Sequence, residues 1–172
     1  WCATLAIRLR ESQSLATLLS GSVATQCSYF DKTPSLNWLV PTHQDLSIPV
    51  AQRVEHSALR GWSQKEGELY VQPPTAVLSE LLAVRLHLDD SGPDNGPLRV
   101  IPGSHLRGRL SGGEPAAIRK DRGEVECIVT RGGVLAMKPL LLHASSKSTN
   151  SRPRRVLHFL YGPTSLPYGL AW

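Results

Sequence analysis

Several things are scarce in this chain, and each scarcity removes a class of protein. No run of about 18 apolar residues occurs, so no bilayer-spanning helix is expected. Aromatic residues make up only 6% of the 172 residues. The net charge of +5 is not gathered into a basic stripe with aromatics interleaved, so nucleic acid is not an expected partner. Charged residues reach 19% against 41% apolar ones, too little charge and too much apolar surface for a disordered chain. Cys2, Cys27 and Cys127 form an odd set without metal-ligand spacing, which argues against a disulfide framework and suits a reducing compartment. With no visible leader segment, the expected location is cytoplasmic. The chain begins at Trp1 rather than Met, which leaves open a missing N-terminal piece. There is no repeat and no linker, and the length suits one domain.

What remains is a series of short apolar segments cut by turn signals. Residues 3–20 carry leucines at roughly helical spacing and stop at Gly21. Strands are expected at 22–30, 37–45, 83–88, 98–101, 124–130, 134–138 and 155–161, with the strongest turn at Gly92-Pro93-Asp94-Asn95-Gly96. Residues 75–82 read as one or two helical turns, and 105–123 as a loop. Residues 46–74 show little periodicity and read as a long loop, of the kind that often covers a binding site. Strands do not alternate with full helices, so the expected class is mainly β, a closed or two-layered antiparallel architecture after one helical segment.

The residues that carry chemistry begin with His43-Gln44-Asp45. On a strand, His43 and Asp45 face the same side and Gln44 the other. A second imidazole would complete a two-His, one-carboxylate face of the kind that holds Fe(II) with positions left open. Spacing alone leaves His56, His87, His105, His143 and His158 as candidates. His143 follows the apolar run Leu140-Leu141-Leu142, and His87 shares a strand face with Arg85 and Asp89. Arg154, eleven residues beyond His143, opens an apolar strand and suits a carboxylate clamp. Arg155 faces the opposite way, so only one of the pair can serve.

Three segments, in order, resemble the phytanoyl-CoA dioxygenase family of Fe(II)- and 2-oxoglutarate-dependent oxygenases. They are NWLVPTHQD, LHLDDSGPDNGPLRVIPGSH and GGVLAMKPLLLHASSKSTNSRPRRVLHFLY. Together they place the resemblance over roughly residues 22–161. It implies a double-stranded β-helix, a jelly roll related to cupins, occupying 22–172 behind a helical segment at 1–21, with 46–74 as a lid-like insertion. It implies that His43, Asp45 and His143 hold Fe(II) as the catalytic centre, and that Arg154 and Ser145 hold 2-oxoglutarate. Lys32 and Trp38 are expected to border the cosubstrate pocket. Dioxygen is the second cosubstrate, succinate and CO2 are released, and the expected reaction is hydroxylation of a small organic substrate. The alternative is a jelly-roll binding module that has kept the metal motif without turnover. Only 42 residues precede His43, so the helical support ahead of the core is expected to be reduced. No oligomeric state is implied.

Overall fold

A computed structural model describes residues 2–172. Eleven strands and three α-helices follow one another among those residues. The order is α1 (Cys2–Glu11), β1 (Ser22–Lys32), β2 (Val40–His43), β3 (Ile48–Val50), β4 (Arg60–Lys65), β5 (Glu68–Gln72), α2 (Thr75–Glu80), β6 (Leu82–His87), β7 (Leu98–Val100), α3 (Glu114–Arg122), β8 (Val125–Cys127), β9 (Val134–Met137), β10 (His143–Ser145) and β11 (Arg154–Pro163). A 3-10 turn at Ser104–Arg107 precedes α3. The strands form a sheet β1-β11-β6-β9, a second sheet β2-β10-β7-β8 and a three-stranded sheet β3-β5-β4. Every paired neighbour is antiparallel. The mainly β, double-stranded β-helix class expected from the sequence is the class observed.

Side-chain alternation along β11 divides the larger sheet into two faces. Leu157, Phe159 and Tyr161 point outward and pack with Ala6, Leu9, Leu15 and Leu19 of the N-terminal segment. Tyr161 Oη donates a hydrogen bond of 2.8 Å to the Ala6 carbonyl, which ties α1 to the sheet. The other face carries Arg154, Val156, His158 and Leu160. In register with them stand Lys32, Phe30, Ser28 and Gln26 on β1, and His87, Arg85 and Ala83 on β6. A polar row on an otherwise buried sheet face marks that face as the wall of a site.

Several sequence expectations change in detail. The helix ends at Glu11, and residues 12–21 continue as hydrogen-bonded turns that bury Leu15 and Leu19. The second strand is shorter than 37–45, because the chain leaves the ladder after His43. Residues 46–74 hold β3, β4 and β5 rather than a long irregular loop. Their strands are short, Pro49 lies within β3, and Glu66 and Gly67 both take positive φ in the β4–β5 turn (51° and 88°). That turn chemistry, not periodicity, closes the hairpin. Residues 105–123 contain α3, none of whose residues is buried; without an apolar stripe its pattern gives no helical signal. The short strand β10 was likewise unmarked.

Tyr161→Phe removes only the hydroxyl that holds Ala6. The Ala6 carbonyl keeps its helical partner, so the loss is that of one hydrogen bond, about 0.5–1.5 kcal/mol. The expected results are a lower unfolding midpoint and faster hydrogen exchange across α1 than across β6 and β11, read by exchange mass spectrometry.

Candidate metal centre

The site starts from one cross-strand register. β10 pairs with β2 so that His143 lies opposite His43, and with β7 on its other side. The segment after β2 is held in place by its own side chains. Gln44 Nε2 donates to the carbonyls of Gly108 (2.8 Å) and Leu140 (2.7 Å). Gln44 Oε1 accepts from Leu110 N at 2.8 Å, and Asp45 N donates to the Pro139 carbonyl at 2.9 Å. Asp45 therefore returns to the face of His43 although it stands outside the strand.

His43, Asp45 and His143 each offer one ligand atom, and these lie within 4.8 Å of one another. His43 Nδ1 bonds the Pro41 carbonyl and His143 Nδ1 the Leu141 carbonyl, both at 2.8 Å. A carbonyl only accepts, so each Nδ1 carries the proton and each Nε2 is left with its lone pair. The two Nε2 atoms flank the Asp45 carboxylate at 3.5 and 3.7 Å. The carboxyl of Asp45 is pushed up by burial, and hydrogen bonding and charge from the flanking histidines, wherever these carry a second proton, hold it at about 2. The donor set is thus two neutral imidazoles and an ionised carboxylate on one face, which fits a divalent ion of the Fe(II) class.

The other candidate histidines are elsewhere. His56 packs against Tyr168 at a tilt, ring centroids 4.8 Å apart. His105 lies in the 3-10 turn. His87 is buried in the wall with neither ring nitrogen partnered. His158 Nδ1 lies 3.0 Å from Arg85 Nη1. The Pro102-Gly103-Ser104-His105 turn has a support role: Leu142 N donates to the buried Ser104 Oγ at 2.8 Å, just before His143. Gly96, at φ 67°, passes against the Ser146 carbonyl where a Cβ would collide, so only glycine fits.

A cavity of about 890 Å³ opens beside the three ligand residues. Ser145, Arg154 and Trp38 line it, as do residues that the sequence reading did not single out, among them Arg85, Glu68 and Tyr70. Arg154 is 4% exposed, and its Nε and Nη1 have no partner. Arg155, on the opposite face, is held by Asp89 through Nε and Nη2, each at 2.8 Å. Lys32 is buried; its Nζ donates to the Ser146 carbonyl at 2.6 Å and to Ser145 Oγ at 3.3 Å, and lies 5.5 Å from the Trp38 ring centre. Burial and then Arg154, Arg85 and Arg99 lower Lys32 to about 8. Tyr70 belongs to the small sheet, and its hydroxyl accepts from Gln26 Nε2 at 2.9 Å. No described helix is long and apolar enough to cross a membrane.

This architecture and donor set have relatives. The family described as phytanoyl-CoA dioxygenase (PhyH) matches residues 8–156. The chain belongs to the phytanoyl-CoA dioxygenase family, and it carries a complete His-x-Asp…His set. AviO1 from Streptomyces viridochromogenes Tue57 is 26% identical, with a TM-score of 0.60 over 91% of this chain and 60% of its own. EctD from S. alaskensis, solved with 2-oxoglutarate and 5-hydroxyectoine, is 21% identical, with a TM-score of 0.65 over 92% of this chain and 52% of its own. SnoN, a non-heme alpha ketoglutarate dependent epimerase from nogalamycin biosynthesis, is 18% identical, with a TM-score of 0.64 over 97% of this chain and 59% of its own. At those identities EctD and SnoN bear on the fold alone. The chain spans 60% or less of the length of these three structures. No curated protein sequence matches it.

His87 gives the wall a pH signature. Burial, then Arg85 and Arg154, push it down to about 4. Below the unfolded value of about 6.5, the unfolded chain binds a proton that the folded chain refuses, so stability falls with pH until the folded value is passed. His87→Leu removes this contribution. Its denaturation midpoint is expected to drop less than that of the wild type between about pH 7 and about pH 4.5, as measured by urea unfolding of the metal-free protein.

Proposed function

We propose that the chain is the catalytic core of an Fe(II)- and 2-oxoglutarate-dependent dioxygenase that hydroxylates a small organic molecule. The observation that carries this reading is the pairing, in one cavity, of a converging two-His, one-carboxylate face with a buried guanidinium that has unpartnered nitrogens. His43, Asp45 and His143 would hold the metal. When bound together with the cosubstrate, the iron supplies oxidising power from dioxygen that no protein side chain has. The balance is one dioxygen and one 2-oxoglutarate consumed, one oxygen atom inserted into a C–H bond, and succinate and CO2 released.

The residues of the chain supply position. The Pro41 and Leu141 carbonyls aim both imidazoles. Arg154 binds the far carboxylate of 2-oxoglutarate, and Ser145 hydrogen-bonds the same end. Lys32 braces Ser145 from behind. Anchoring both ends of the cosubstrate fixes its register over the metal, which is the orientation part of catalysis. Trp38 and the sheet of residues 46–74 border the cavity and act as the lid that limits water.

The test is Fe(II)-dependent conversion of 2-oxoglutarate to succinate, followed across a metabolite panel. His143→Ala and Asp45→Ala are expected to lower metal affinity by at least about tenfold, since each removes one of three ligands, as read by metal titration. Arg154→Ala is expected to weaken 2-oxoglutarate binding by roughly 10- to 100-fold with metal affinity kept. Equal loss of both would contradict the role given to Arg154. Metal and 2-oxoglutarate binding without succinate formation on any substrate would leave a binding module instead.

A further inference from the structure

The cavity changes character along its length. On β1 the inward row runs Lys32, Phe30, Ser28 and Gln26, opposite Arg154, Val156, His158 and Leu160 on β11. Gln26 therefore stands six residues from the Arg154 end, about 20 Å along the strand at about 3.3 Å per residue. Its row continues across the sheet through Leu160, Ala83 and Met137 and holds no charge. The ladder shifts immediately beyond it, between Ala24 and Gln26, and a shift of this kind ends the inward alternation and aims the last side chain. From the small sheet, alternation along β5 turns Leu69 and Val71 to the apolar core and Glu68, Tyr70 and Gln72 to the cavity. Gln26, Ser28 and Tyr70 meet there: Gln26 Nε2 donates to Tyr70 Oη at 2.9 Å and to Ser28 Oγ at 3.1 Å. Both amide protons are spent on these bonds, so Gln26 Oε1 keeps its lone pairs and the two hydroxyls keep their protons. A reversed amide would free two N–H donors on Gln26 and the lone pairs of both hydroxyls. In either arrangement an uncharged cluster faces the cavity with donors and acceptors both unspent, and among the described residues no other side chain takes them up.

Resting on the functional reading above, we infer that Gln26, Ser28 and Tyr70 bind the primary substrate through its hydroxyl groups, at the end of the cavity away from the Arg154 anchor. A hydroxyl both gives and takes a hydrogen bond, so two of them can meet mixed partners of this sort, whereas a carboxylate only accepts and an ammonium only donates. Neither ion finds a countercharge in the cluster, and stripping its water without one is costly. Lys65, Glu66 and Glu68 also line the cavity but are exposed to solvent, where their field is screened. Leu160 stands opposite Gln26 and, with Leu78 and Leu81, gives the cavity an apolar floor. At about 890 Å³, the space lies at the upper end of small-molecule sites, about 300–1,000 Å³, and admits a second ligand beside the cosubstrate. The substrate class is therefore a neutral alcohol with at least two hydroxyls on an apolar frame.

The experiment uses Zn(II)-loaded protein saturated with 2-oxoglutarate, so that no turnover occurs. It is titrated with probes built on one ring: cis-1,2-cyclohexanediol, cyclohexanol, cyclohexanecarboxylate and cyclohexylammonium. Binding is followed by ligand-observed NMR. The wild type is expected to bind the diol at least about threefold tighter than cyclohexanol, against the order of their apolar surface, and tighter than either ion. Tyr70→Phe, which keeps the ring, and Gln26→Leu are expected to lose that preference with 2-oxoglutarate affinity unchanged. Gln26→Glu places a carboxylate in the cluster and is expected to move the preference to cyclohexylammonium, a gain that a residue needed only for packing would not give. A wild type that favours cyclohexanol or either ion, or that binds none of the probes, overturns the subsite. So does a diol preference that survives Tyr70→Phe and Gln26→Leu, or a Gln26→Glu protein without the gain. An equal weakening of 2-oxoglutarate binding by these variants also overturns it, since the cluster would then belong to the cosubstrate. Failure of the wild type to bind 2-oxoglutarate would instead overturn the functional reading beneath it, and the ranking of the probes on the Zn(II) protein alone would then decide the subsite.

Discussion

One backbone register carries the site: the pairing of β2 with β10 that sets His43 opposite His143. Neither strand is long, with 4 residues in one and 3 in the other, so neither could hold this register by its own ladder. It is imposed from around. Gln44 ties the downstream segment to two neighbouring stretches. Ser104 fixes the approach to β10, and β7 flanks it on the far side. A one-residue slip would turn the imidazoles to opposite faces, and the ligand set would be lost without any change in composition.

The second constraint is electrostatic. The inner face of the larger sheet gathers Lys32, Arg85 and Arg154, all buried, beside a cavity lined by Arg85, Arg154 and the half-buried Asp45. Burial first, and then the neighbouring guanidiniums, lower the affinity of Lys32, His87 and His158 for a proton. A wall of this kind works against folding and in favour of anion capture. The apolar outer face offsets it: Leu157, Phe159 and Tyr161 pack against α1 and the turns that follow. One sheet thus divides its work by alternation, with cohesion on one side and ligand charge on the other.

Much of this was legible in the residues. The Arg154/Arg155 split follows from period-two alternation, and the antiparallel class from the density of turn signals; alternation also picks out His43 and Asp45, although Asp45 reaches the shared face from beyond the strand end. Choosing His143 among the remaining histidines required the family resemblance, because spacing cannot report a cross-strand pairing a hundred residues apart. Strands β3 to β5 were illegible because they are short and closed by a turn whose Glu66 adopts a conformation usually left to glycine. Helix α3 buries nothing and so has no apolar stripe. Arg85 stands out in the sequence only as a neighbour of His87; that it lines the cavity with its Nε unpartnered is a property of three dimensions.

The sheet built from β3, β5 and β4 shares no ladder with either sheet that bears the ligand residues, yet Glu68 and Tyr70 reach the cavity from it. Because the two parts of the wall are separate hydrogen-bonded units, exchanges at the β4–β5 turn can reshape the mouth while the metal face keeps its geometry. The mouth and the metal face are thereby free to diverge at different rates in descendants of this chain, with the Gln26–Tyr70 bond as a polar stitch that such divergence would have to preserve or replace.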